Sequence, residues 1–131
     1  MTDTETAGAY RVRVTGSRDW DAEEILRQAM IAAAFRGPAE RDLTVVHGAC
    51  PTGADAMADA WAEDYGFPAE RHPADWSYGK SAGFIRNAEM VTLGADLCLV
   101  FRQKGAANRG TGHCAELAGK AGIPLREFWS E

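Results

Sequence analysis

"VVHGACPTGADAMADAWA" (Val45 to Ala62) changes structural period within a few residues. With Leu43 and Thr44 it completes LTVVH (Leu43 to His47), a β-branched apolar run that reads as a strand. From Ala54 onward the apolar side chains recur at helical spacing. Ala54, Met57, Ala58, Trp61, Ala62 and, just beyond, Tyr65 share one face, while Asp55, Asp59 and Glu63 mark the opposite one. Between strand and helix stands Gly48-Ala49-Cys50-Pro51-Thr52-Gly53, small and without charge. A connector built only for water would carry more charge. A loop this bare, running straight into a helix, implies that something lies against its backbone.

The same alternation extends in both directions. YRVRVT (Tyr10 to Thr15) alternates apolar and polar residues and predicts a first strand, followed by GSRDW. Asp21 stands three residues before Glu24, a capping-box spacing, and Ile25, Leu26, Ala29, Met30 and Ala33 then form a helical stripe that RGPAERD (Arg36 to Asp42) breaks. GFPAERHP carries a short third strand, ADWSYGKSAG is expected as a loop, and Phe84 to Leu93 as a helix. ADLCLVF (Ala95 to Phe101) has the composition of a strand buried on both faces. RQKGAANRGTG reads as a Gly-rich loop. Cys114, Leu117, Ala118 and Ala121 make a last helical stripe, stopped by Gly122 and Pro124, and PLREFW supplies a final strand.

Alternating strands and helices, without a linker or an internal repeat, predict right-handed crossovers and a mostly parallel sheet covered on both faces. The expected class is α/β, a Rossmann-like three-layer α/β/α fold of about five strands in the order 3-2-1-4-5. One domain spans 10–131, with residues 1–9 as a disordered lead.

At 131 residues and net charge −5, with acids and bases interleaved, the chain lacks the overall basic face of a protein that lives on nucleic acid. A nucleic-acid partner is therefore disfavoured. No apolar run approaches the roughly 18 residues of a membrane span, and MTDTETAGAY lacks the plan of a signal peptide. Cys50, Cys98 and Cys114 are odd in number and widely spaced, which fits the reducing cytoplasm. His47 and Cys50 form H-x-x-C, and His113 adjoins Cys114, but these spacings do not bring a tetrahedral ligand set together. Neither a metal nor a cofactor is expected.

Ligands of such sheets bind beyond the carboxyl ends of the strands. Three loops there are rich in Gly, Ser or Thr: Thr15 to Trp20, His47 to Asp55, and Arg109 to His113. Free N–H groups and the positive end of a helix dipole favour an anion, and glycine lets it approach the backbone. The candidate ligand-binding residues are Gly16, Ser17, Arg18 and Trp20 in the first loop, and His47, Gly48, Ala49, Thr52, Gly53 and Asp55 in the second. Gly110, Thr111 and Gly112 complete the third. GKSAGFIRNAEM adds Arg86, Asn87 and Met90: Arg86 to clamp a phosphate or carboxylate, Asn87 to read a ribose or base edge. Trp20 and Trp76, both in loops, could stack on a base, yet a loop tryptophan more often covers a core edge. Neither G-x-G-x-x-G nor a P-loop is present.

VTGSRDW, the quoted second motif, HPADW…YGK.AG.IRNAEM and GTGH…A…GIP together resemble the small SLOG proteins related to YspA and YpsA, found in bacteria and phages. The resemblance runs from about Tyr10 to Pro124. SLOG is the Rossmann-like superfamily that includes the DNA-processing protein Smf/DprA and the LOG phosphoribohydrolases. The resemblance implies a pocket for a nucleotide or nucleotide derivative at the loops just described, used for binding or sensing. Compared with the LOG enzymes, Arg86-Asn87-Ala88-Glu89-Met90 is similar to their RK..M motif. ANRGTGHCAE matches PGGxGTxxE only in part: Gly110 and Thr111 align, but Cys114 stands where the catalytic Glu belongs. Glu116 lies two residues on, about 200° around a helix. The alternative is a LOG-like N-glycosidase acting on nucleoside monophosphates, in which Asp55, Glu89 or Glu116 supplies the acid–base carboxylate and Arg86 steadies the phosphate. SLOG relatives are often oligomeric. With the Ala-rich helices, this implies a homodimer or higher homo-oligomer.

Overall fold

The computed structural model describes residues 9–35, 42–104 and 109–130. The lead expected before Ala9, most of the break after Phe35 and residues 105–108 of the Gly-rich loop lie outside the described residues. The elements are β1 (Ala9–Gly16), α1 (Glu23–Phe35), β2 (Asp42–His47), α2 (Gly53–Tyr65), β3 (Ala69–Arg71), a 3₁₀ segment (Trp76–Ser81), α3 (Ala82–Leu93), β4 (Leu97–Gln103), α4 (Arg109–Lys120) and β5 (Leu125–Ser130). All strand pairs are parallel, in the order β3-β2-β1-β4-β5. The expected class and strand order are therefore observed.

The period of two along the strands divides the core into two layers. Val12 and Val14 of β1 and Leu97, Leu99 and Phe101 of β4 face α1 and α2, packing with Leu26, Met30, Ala54, Ala58 and Trp61. The alternate residues Cys98 and Val100 face α4, with Ala115, Ala118 and Ile123. By register Arg13 lies beside Cys98 and Thr15 beside Val100, so β1 sends an arginine into this second layer.

Several local expectations change. ADWSYGKSAG is not a loop throughout: its middle forms the 3₁₀ segment, with Asp75 capping the Ser77 N–H at 3.1 Å. Ile25 is 36% exposed, and Ala34 takes its place in the buried stripe of α1. The helical face marked by Asp55, Asp59 and Glu63 is not uniformly solvated, because Asp55 is buried. Finally, α4 begins at Arg109, so Gly110, Thr111 and Gly112 occupy its first turn rather than a preceding loop.

Candidate functional site

The three loops do not converge as open arms around one space. Two of them close on each other. The Ser17 carbonyl accepts the N–H groups of Trp20 (3.2 Å) and Ala54 (3.3 Å), and Thr52 Oγ1 donates to the Arg18 carbonyl at 3.0 Å. A Cβ on Gly53, whose φ is +75°, would collide with the Ser17 carbonyl oxygen and stand 2.7 Å from Arg18 Cα. A Cβ on Gly16 would stand 2.5 Å from Ala54 Cβ and 2.9 Å from Phe101 Cβ. What lies against these glycines is the chain itself. The hydroxyl of buried Ser17 accepts from the Asp19 N–H at 3.0 Å, an internal turn contact.

Trp20 is corrected outright as a stacking platform. It is 2% exposed, packs on Phe101 with ring centroids 5.2 Å apart, and donates its Nε1–H to the Ala22 carbonyl at 3.1 Å. Its large apolar ring belongs to the core, and its one donor is satisfied there.

His47 ends β2 in a polar junction. Its Nδ1 accepts the Ala49 N–H at 2.9 Å, which leaves Nε2 to carry the proton toward Asp59 Oδ1 at 2.8 Å. Arg71 clamps the same carboxylate at 2.9 and 3.1 Å, and its hydrogen bonds, with those of His47, hold Asp59 below the usual carboxylate range. The Ala49 contact holds that residue at φ 61°, a left-handed conformation that costs a non-glycine residue roughly 1 kcal/mol. His47 thus shapes the loop.

The open space lies one layer away. A polar cleft of about 20 Å³ is lined by Arg13, Val14, Thr15, Gly48, Asp55, Arg86, Asn87, Met90 and Cys114. Five expected site residues meet here: Gly48, Asp55, Arg86, Asn87 and Met90. Gly48 is bare because a Cβ would strike the Arg86 guanidinium, coming within 2.7 Å of its Cζ. Arg86 Nη1 donates to the Gly48 carbonyl at 2.6 Å and the His72 carbonyl at 3.2 Å, and its Nε donates to Asn87 Oδ1 at 3.0 Å. The guanidinium thereby ties α3 to the ends of β2 and β3. Asn87 also lies 3.4 Å from His113 Nδ1 through its Nδ2.

Asp55 Oδ2 accepts the Cys50 N–H at 3.3 Å. Burial pushes its carboxyl above the usual range, against the pull of His47, the Cys50 and Gly48 N–H groups and Arg86. Cys114 shows the opposite balance. The Cys98 thiol hydrogen-bonds to it and, aided by Arg13 and the Thr15 hydroxyl, outweighs burial and draws its thiol down to about 7.

Residues 10–79 match the family described as the YspA, cpYpsA-related SLOG family, a span that includes Arg13, Gly48 and Asp55. The chain belongs to that family. The helices α3 and α4 follow the matched span in the chain and complete the cleft. The Gene 61 protein of Mycobacterium phage D29 is 44% identical over 124 residues, covering 90% of this chain and 95% of that protein. No solved structure matches the chain.

The remaining acids are set apart from the cleft. Glu89 is exposed on α3, and exposed Glu116 on α4 lies 3.9 Å from Lys120, as its helical rotation from Cys114 requires. Of the carboxylates considered as acid–base groups, Asp55 alone among the described residues lines the cleft. Arg18 and Thr52 are exposed at the outer junction, Thr111 is buried in the first turn of α4, and a Cβ on Gly112 would approach Arg102. Arg13 escapes the sequence reading, and Thr15 enters it only as the start of the first loop, because YRVRVT alternates apolar and polar residues like a strand with one polar face. The available signal was topological: a central parallel strand is covered on both faces, so its alternate polar residues turn inward.

Proposed function

We propose that this SLOG domain binds or senses a nucleotide-type ligand, a mononucleotide or an ADP-ribose-like molecule, with its phosphate at the cleft bounded by Gly48, Arg86 and Asn87. The observation that carries the reading is the cleft's place. It opens on β1, the strand flanked by β2 and β4 at which the chain order reverses, and α/β sheets receive ligands at such a point. Trp76 supports it, being 57% exposed at the edge of the same region. A Cβ on Gly83 would lie 3.7 Å from Trp76 Cη2 and 3.9 Å from Arg86 Nη2, so ring and guanidinium flank one bare glycine. An aromatic face beside a cation suits a base and its phosphate. Gly110, Thr111 and Gly112 contribute the N-terminal turn of α4 to the same proposal.

Native mass spectrometry of the purified protein, followed by calorimetry with nucleoside monophosphates and ADP-ribose, tests this. The expected result is phosphate-dependent binding with the ligand recovered intact. No binding across the panel and no co-purified nucleotide refutes it.

A second reading, hydrolysis of the N-glycosidic bond, draws on Asp55. A buried acid with a raised pKa in a cleft is suited to donate a proton to a leaving base. Release of free base and ribose 5-phosphate from nucleoside monophosphates would decide for it. The proposal extends to a cytoplasmic homodimer, which light scattering at micromolar concentration reads directly.

A further inference from the structure

Arg13 is 1% exposed in the middle of the sheet. Its Nη2 reaches the Asn87 carbonyl at a long 3.4 Å, while its Nε and Nη1 have no hydrogen-bond partner among the described residues. A buried guanidinium with idle N–H groups loses its hydration and gains little in return, so it is not retained for stability. Its neighbours repay that loss only in part. Cys98, its cross-strand partner, is a buried thiol, Asp55 across the cleft gives its carboxylate to the Cys50 N–H, and Cys114, whose thiol Arg13 helps to draw down, faces its charge without accepting from Nε or Nη1. What Arg13 does face is the cleft it shares with Arg86 and Thr15.

The size of that cleft limits what enters. About 20 Å³ is the room of one water, hence of one oxygen atom, and not of a whole phosphate. We infer that Arg13 is the inner oxyanion-binding residue of this domain: one oxygen of a phosphoryl or carboxylate group enters the cleft and accepts from the Arg13 guanidinium, while the rest of the group stays at the mouth beside Arg86. The identity of the larger ligand rests on the nucleotide reading above, whereas the oxyanion contact is testable without it. The shared chemistry is a planar or tetrahedral oxyanion. One directed guanidinium N–H can meet an oxygen of either, and Lys in its place would supply the charge on a flexible stem without that fixed direction.

The experiment compares the parent chain, Arg13→Met, Arg13→Lys and the surface control Glu63→Ala. Thermal unfolding is followed in tens of millimolar inorganic phosphate, in acetate, and in chloride at matched ionic strength, and AMP and ADP-ribose are titrated by calorimetry. Phosphate is expected to raise the Tm of the parent and of Glu63→Ala. Arg13→Met should unfold at a higher temperature than the parent in chloride, with no phosphate increment and an AMP affinity at least about tenfold weaker. Arg13→Lys should recover part of both, and it serves as the test should Arg13→Met fail to fold. The acetate arm separates a carboxylate-selective site from a phosphoryl one.

A parent chain without any oxyanion increment, or an Arg13→Met chain that keeps the parent's increment and AMP affinity, overturns the inference. An Arg13-dependent phosphate increment with no binding of AMP or ADP-ribose supports the oxyanion contact and removes the nucleotide reading instead.

Discussion

Substituting Gly53 by alanine separates a glycine that makes room for a ligand from one that makes room for its own chain. Gly53 has φ +75°, and the new Cβ would collide with the Ser17 carbonyl oxygen and lie 2.7 Å from Arg18 Cα. That backbone cannot yield cheaply, because the Ser17 N–H bonds Phe101 O at 3.0 Å and the Ser17 carbonyl already accepts from Trp20 and Ala54. Gly66, the left-handed cap of α2, supplies the matched control: its φ is +78° and nothing lies within 4 Å of its Cβ position. Left-handed strain alone costs alanine about 1 kcal/mol, so Gly66→Ala should lose about that much. Forced overpacking adds roughly 2 kcal/mol, which puts Gly53→Ala near 3 kcal/mol. With a urea m value of about 2 kcal/mol/M, the midpoints fall by about 0.5 M and about 1.5 M. Equal midpoints for the two variants would refute the packing argument. A Gly53→Ala chain that unfolds like the parent but loses nucleotide binding would return this glycine to the ligand.

Arg86→Met removes two carbonyl contacts, at 2.6 and 3.2 Å, and should lower stability by about 2 kcal/mol in urea as well as weakening nucleotide binding. Binding lost with stability unchanged would show that those contacts carry no folding energy. Trp76→Ala should leave the Tm within the range of a surface change, since the ring is 57% exposed, yet weaken nucleotide binding by roughly 1–3 kcal/mol; unchanged affinity removes Trp76 from the site. Glu70 is held at about 2 by its hydrogen bonds to Arg11, with His72 assisting. A depressed carboxylate stabilises the fold above its ordinary value near 4.5 and loses that contribution as pH falls toward 2. With the side chain 32% exposed, solvent screening leaves about 1 kcal/mol, so Glu70→Gln should flatten the acid limb of stability between pH 5 and 2 by that amount. An unchanged acid limb would refute the assignment.

Local periodicity carried the architecture. The change from period two to period 3.6 at Gly48 to Gly53, repeated along the chain, specified alternating strands and helices, and short parallel crossovers then left few possible sheet orders. Chemistry at a single position was equally readable, since Cys114 stands in place of a carboxylate whatever the fold does around it. Contacts between distant segments were not readable. The motif around Gly53 is bare because Ser17 and Arg18 lie on it, and Gly48 because Arg86 does, across a separation of 38 residues. Asp55 sits on what the helical pattern marks as the solvated face, and burial there follows from the loop folding back over it. For Trp20 the sequence leaves base stacking and core cover both open, and β4 decides it by bringing Phe101 against the ring. Arg13 depended most of all on the tertiary structure. A pattern of alternation reports which residues share a face of a strand, but only the packed layers decide whether that face meets water, a helix or an enclosed cleft.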